Sequence, residues 1–134
     1  MKKGFKVTTT IIAVPILVIS VYIFYLWATY ISDVVISGEK YDFVIGQTKQ
    51  QSYKNIATTI QKHPNLKIYI PYGPRVGDRM TIPYTEQNYD QAIKHNHWEL
   101  LLEGDGKFFN IIRLSFESNA LVQIYRHRQY FELP

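Results

Sequence analysis

The chain has 134 residues, of which 46% are hydrophobic and 19% charged, with a formal net charge of +4 and no cysteine. This composition is too apolar for a disordered chain, and the absence of cysteine excludes disulfides, thiol catalysis and thiolate metal sites. Lys2, Lys3 and Lys6 supply three of the positive charges, and the remainder has twelve Lys or Arg against eleven Asp or Glu. The basic balance therefore belongs to the N-terminus and does not indicate nucleic-acid binding by a folded domain.

A long uncharged segment follows the N-terminal lysines. Val7 to Ser32 are 26 residues without a charge, and a helix of that length reaches about 39 Å, enough to cross a bilayer core of about 30 Å. We therefore predict a cytoplasmic tail over residues 1–7 and a single transmembrane helix over residues 8–31, with a mild kink at Pro15.

Charges and aromatic residues at the two ends of this segment predict its orientation. Lysines precede it, whereas aromatic residues gather at its far end: Tyr22, Phe24, Tyr25, Trp27 and Tyr30. The positive-inside rule places the N-terminus in the cytoplasm and the rest of the chain outside, in the periplasm of a bacterium. A cleaved signal peptide is the alternative, but no small-x-small site follows Trp27, so an uncleaved anchor is favoured.

Residues 32–40 are predicted to be a tether, and residues 41–134 one α+β domain. Tyr41 to Ile45 alternates as a short strand. Thr48 and Gln51 have the spacing of a capping box, and an apolar stripe on Tyr53, Ile56, Ala57 and Ile60 predicts a helix that ends at His63 and Pro64.

The rest of the chain predicts an antiparallel sheet and a second helix. Leu66 to Ile70 alternates as a strand, the segment 71–78 is a loop, and Thr85 caps a shorter helix that ends near His95. Strands are predicted over residues 97–103, 108–116 and 121–128, joined by Asp105-Gly106 and Ser118-Asn119 turns. We therefore expect two helices on an antiparallel sheet of three to four strands.

Residues that could carry catalysis or bind a metal are sparse. His95 and His97 form an HxH pair without evident third and fourth ligands, so they are interpreted as exposed histidines at a helix end. No G-x-S-x-G pattern occurs, and the carboxylates of the hairpins (Glu99, Glu103, Asp105 and Glu117) are expected to face solvent. We expect no enzyme activity, metal, cofactor or small-molecule substrate; an enzyme would depend on His95, His97 or Glu103.

Tyrosines and arginines are instead concentrated in the predicted strands and loops, and these residue types are favoured at the centres of protein interfaces. The candidate partner-binding residues are Tyr69, Tyr72, Arg75, Arg79, Arg113, Tyr125, Arg126, Arg128 and Tyr130. A cationic, aromatic surface of this kind suits an acidic protein partner.

Two resemblances extend this interpretation. The Gly46-Gln47-Thr48-Lys49 helix start, Trp98, the Asp-Gly turn and the strand from Ile111 to Leu121 together resemble the SmpA/OmlA and β-lactamase-inhibitor-like modules of bacterial envelopes. Those modules place two helices on an antiparallel sheet and bind proteins, although the lipoprotein members use an anchoring cysteine that this chain lacks.

The tail, span and small outer domain are similar to membrane-anchored immunity proteins of the colicin M immunity type. The resemblance implies an immunity protein that neutralises a periplasmic toxin, and the alternative is a scaffold subunit of an envelope-assembly complex.

Overall fold

A computed structural model describes residues 2–75, 77–104 and 110–130. The chain divides into two units, of which one contains residues 1–30 with 129–134 and the other is the domain formed by Ile31–Arg128. The predicted Asp105-Gly106 turn and the start of the strand at Phe108 lie outside the described residues.

The first unit is dominated by helix α1, Lys2–Thr29, which contains Pro15. Its segment Ile11–Thr29 has a mean hydropathy of 2.4 and is long and apolar enough to cross a membrane, as an anchor or as a signal sequence. The hydroxyls of Ser20 and Thr29 each donate to the carbonyl four residues earlier, at 2.8 Å, so these two hydroxyls are satisfied within the helix. The predicted end at residue 31 is two residues too late, because Ile31 already belongs to a strand.

Six antiparallel strands form the sheet of the domain: β1 Ile31–Val35, β4 Lys67–Pro71, β5 Arg79–Ile82, β6 His97–Leu101, β7 Asn110–Glu117 and β8 Ala120–Arg128. Their order across the sheet is β1-β8-β7-β6-β4-β5. The meander predicted from the C-terminal third is confirmed in β6, β7 and β8. Ser118 and Asn119 join the last two strands with φ of 48° and 69°, as a tight hairpin of the type I′ kind requires.

Helix α2, Lys49–Lys62, forms where the apolar stripe predicts it. Thr48 Oγ1 accepts a hydrogen bond from the Gln51 backbone N–H at 3.2 Å, but the Gln51 side chain donates to Asn55 Oδ1 instead of returning to Thr48. The predicted capping box is therefore only half formed. The second predicted helix is also present, as a 3-10 turn over Glu86–Asn88 that continues into α3, Tyr89–Ala92.

The hydrophobic core lies between α2 and one face of the sheet. Tyr53 and Ile56 of α2 pack with Trp98, Leu114 and other buried side chains of the strands. Full burial of an aliphatic or aromatic side chain contributes about 1.5–3 kcal/mol, so this layer supplies most of the folding energy. Helices α2 and α3 both contribute buried residues to this core, and we call the opposite face of the sheet the open face.

Lys49 is a buried cation at the start of α2. Its Nζ donates to the Ile93 carbonyl at 2.8 Å and to Asn96 Oδ1 at 2.9 Å, and it lies 5.8 Å from the ring centre of Phe116. Burial lowers the pKa of this ammonium because no described carboxylate offsets the lost hydration. The lysine links α2 to the segment that leads from α3 into β6.

The sheet has more strands than the predicted three to four, since β1 and β5 were not expected. Most of β1 falls in the predicted tether, residues 32–40, whose first part therefore pairs with β8 along the register Ile31↔Arg128 to Val35↔Ile124. The strand predicted over Tyr41 to Ile45 is shorter than expected. It forms a two-stranded ribbon from β2, Glu39–Lys40, and β3, Phe43–Val44.

Candidate functional site

Cross-strand pairing assigns side chains to the open face of the sheet. Tyr125 pairs with Val34 on one side and Arg113 on the other, Arg113 pairs with Glu99, and Glu99 pairs with Tyr69. Directly opposed residues share a face, so these five form one row across five neighbouring strands. Four residues of this row, all except Tyr69, line a groove with a volume of about 710 Å³ that is bordered by the loop between β4 and β5, and we call it the open-face groove.

Glu99 lies at the floor of the groove and is held by two arginines. Its Oε1 accepts hydrogen bonds from Arg113 Nε at 2.9 Å and Nη2 at 2.7 Å, and its Oε2 forms an ion pair with Arg79 Nη2 at 3.3 Å. Only 3% of the Glu99 side chain is exposed, so the expectation that this carboxylate faces solvent is wrong. The two arginines explain the difference, because they supply the charge compensation that a buried carboxylate needs.

The loop that borders the groove is closed by Asp78. Its Oδ2 accepts a hydrogen bond from the Arg75 backbone N–H at 3.2 Å, and its backbone pairs with Tyr72 and Arg75. A Cβ on Gly73 would lie 2.3 Å from Asp78 Oδ2, so the turn depends on glycine at this position. The Arg75 side chain is exposed beside the groove and makes no hydrogen bond or ion pair to any described residue.

The opposite end of the groove is uncharged. It is lined by Gln123 and Tyr125 of β8 and by Val34 of β1. Arg113 lies 5.7 Å from the centre of the Tyr125 ring, within the range of a cation–π contact, so the charged and aromatic parts adjoin. Overall, three arginines and one glutamate line the groove, a net charge of +2 with histidine neutral.

His97 and Ser115 also line the groove, with His97 Nδ1 3.2 Å from Ser115 Oγ. Nucleophilic catalysis would use such a pair together with a group that orients the imidazole. Within the described ranges the imidazole has no such partner, since the nearby Glu99 is bonded to the arginines. No group of three or more His, Asp or Glu that could hold a metal occurs among the residues that the structure describes.

The sequence-predicted candidates separate into two sets. The open face gathers Tyr69, Arg79, Arg113 and Tyr125, and Arg75 borders them from the loop. Tyr72 is exposed in the same loop, Arg128 is half-buried in β8, and Tyr130 belongs to the other unit.

Arg126 does not belong to the groove. It is only 6% exposed and faces the helix side of the sheet, where it pairs with Ile112. Its guanidinium donates to the carbonyls of Ile111 and His127 and to Asn110 Oδ1, at 3.1, 2.7 and 2.6 Å. We therefore assign Arg126 a structural role in closing the ends of β7 and β8.

Comparisons with protein-family models, curated proteins and solved structures gave no match to this chain. The likeness to envelope modules and immunity proteins therefore stays a prediction from the pattern of residues.

The groove residues that were not predicted as partner-binding include Glu99, Ser115 and Gln123 of the strands. The alternation of side chains along a strand indicates that these three residues point away from the core, because each lies one position from a buried residue, namely Trp98, Leu114 or Ile124. The pairing of strands that brings them together is a non-local property that alternation alone does not provide.

Proposed function

We propose that this chain is a single-pass protein of the bacterial inner membrane whose periplasmic domain binds another protein, and that it acts as an immunity protein against a toxin working in the periplasm. The observation that carries the proposal is the open-face groove, which brings three arginines, Tyr125 and Gln123 together on the sheet face opposite the hydrophobic core. These residue types favour recognition at protein interfaces.

The membrane part of the proposal is supported by the helix Ile11–Thr29 and by the charges around it. The lysines before the helix and the aromatic residues at its end favour an inside N-terminus and an outside domain. We expect N-terminal sequencing of the protein purified from membranes to find the segment before Ile11 still present. A mature chain that begins after the helix would show that α1 is a signal sequence.

The binding part is tested by affinity purification of the full-length chain from a mild detergent extract, together with a toxin-sensitivity assay. We expect a stoichiometric protein partner, and we expect deletion of the gene to make cells sensitive to a toxin delivered to the periplasm. The matched control is a chain that ends at Tyr30, which retains the anchor but lacks the domain and should recover no partner.

Two results would count against immunity. Recovery of no partner combined with unchanged toxin sensitivity would reject it. Recovery of envelope machinery, with a growth defect in the absence of any toxin, would instead support the scaffold function.

A further inference from the structure

The open-face groove has a direction, because its two ends differ in chemistry. Arg79 lies on β5 at one edge of the sheet and Arg75 in the adjoining loop, whereas Tyr125 and Val34 lie on β8 and β1 at the other edge. With strands about 4.8 Å apart, the five steps from β5 to β1 cover about 24 Å, the length of about seven extended residues. A ligand crossing the whole groove would therefore meet charge first and apolar or aromatic surface last.

The arginines of the groove are positioned differently for an incoming anion. Arg113 is aligned by its two hydrogen bonds to Glu99 Oε1, and these leave donors on its guanidinium. Arg75 is exposed and has no described partner. The groove therefore combines a fixed cation with a free one, and its net charge of +2 is complementary to carboxylates.

We propose that the open-face groove binds an extended, bipartite segment of a partner protein, with acidic side chains beside Arg75 and Arg79 and apolar or aromatic side chains beside Tyr125 and Val34. This rests on the proposed function, since it assigns the surface and the ligand chemistry of the protein-binding domain. The hydroxyl of Ser115 on β7 lies between the two ends, the amide of Gln123 lies at the uncharged end, and both can bond to the backbone of the segment. An anionic lipid headgroup fits less well, because it would contact the arginines only and would leave the uncharged end of the groove without a contact.

The test is a selection from a random seven-residue peptide library against the full-length chain in neutral detergent micelles. We expect enriched peptides to carry Asp or Glu at one end and apolar or aromatic residues at the other. A synthetic copy of the strongest peptide is then titrated by fluorescence anisotropy. Arg75→Glu should weaken its binding about tenfold or more, because one attraction is replaced by a repulsion.

The matched control is Lys94→Glu, the same charge reversal at an exposed lysine outside the groove, which should change the affinity less than about twofold. Tyr125→Ala tests which end of the peptide lies beside Tyr125. It should lower the affinity for the full seven-residue peptide but leave unchanged the affinity for a shortened peptide that contains only the acidic half. Circular dichroism of each variant establishes that the fold is retained.

The inference is overturned if no peptides are enriched, if enriched peptides lack acidic residues, or if Arg75→Glu and Lys94→Glu act alike. Binding to phosphatidylglycerol vesicles that Arg75→Glu abolishes, without any enriched peptide, would identify a headgroup site instead.

If a protein partner is recovered from cells but Arg75→Glu leaves its recovery unchanged, the proposed function stands and the groove assignment fails. If acidic peptides bind but no cellular partner exists, the groove assignment stands and the immunity function fails.

Discussion

Replacing Trp98 by alanine is expected to lower the free energy of unfolding of the domain by about 3–5 kcal/mol. The side chain is 0% exposed, its ring centre lies 4.5 Å from that of Phe116, and it meets Tyr53 edge-on at 6.0 Å. The substitution removes these contacts and leaves the Ala92 carbonyl without the hydrogen bond that Trp98 Nε1 donates at 2.9 Å. Since small domains have about 5–15 kcal/mol in total, this single change should bring the domain close to its unfolding threshold.

Urea unfolding of the full-length chain in detergent micelles, followed by circular dichroism, measures this loss. The chain has two tryptophans, and the second provides the control. Trp27 lies on α1 with 75% of its surface exposed, so Trp27→Ala should leave the urea midpoint of the domain unchanged. A loss below about 1 kcal/mol for Trp98→Ala would contradict the described core.

Replacing Glu99 by glutamine is expected to change stability and binding in opposite directions. Without the carboxylate, Arg113 and Arg79 lose their buried counter-charge, and the free energy of unfolding should fall by about 1–3 kcal/mol. The loss is smaller than for a fully buried ion pair because 39% of the Arg113 side chain is exposed and can be rehydrated. At the same time the net charge of the groove rises by one, so an acidic ligand should bind several-fold more tightly at low salt.

Both effects are measurable on one preparation, by urea unfolding and by titration with an acidic peptide at two salt concentrations. Glu117→Gln makes the same change of charge at an exposed residue outside the groove and should alter neither quantity appreciably. Weaker binding of the acidic peptide to Glu99→Gln, with the domain still folded, would contradict this expectation. It would show that the alignment of the arginines by Glu99 matters more for binding than the competition between Glu99 and the carboxylates of the peptide.

The elements that could be predicted from sequence are those with a long local signal. The uncharged run predicts α1, and the stripe from Tyr53 to Ile60 together with Thr48 predicts α2. The alternation around Ile112 and Ile124 predicts β7 and β8. The signal for α1 is the length of its apolar run. For α2, β7 and β8 it is a period repeated over about eight residues, so local preference and tertiary burial agree there.

The strands that escaped prediction are short edge strands. β1 follows α1 after the single residue Tyr30, and its alternation of Ile31, Asp33 and Val35 is hidden by the apolar run before it. β5 has only four residues and borders a loop rich in glycine and proline. Edge strands owe their conformation to the neighbour they pair with, which a local pattern does not reveal.

The candidate site was predicted by residue type but not by location. Arginine and tyrosine are common at interfaces, and this choice included four of the residues that share the open face. Arg126 could have been set aside, because it lies two positions after the buried Ile124 and so on the core side of β8. The burial of Glu99 required knowledge that β5 and β7 bring arginines to it from both sides.

The pairing of Ile31 with Arg128 has a topological consequence. These two residues are the first and the last of the domain, so the chain enters and leaves it at one point, through neighbouring strands. The first and last strands of the domain are therefore paired side by side. Every residue of the open-face groove lies between Ile31 and Arg128 in the sequence, in the segment whose two ends are joined by the pairing of β1 with β8.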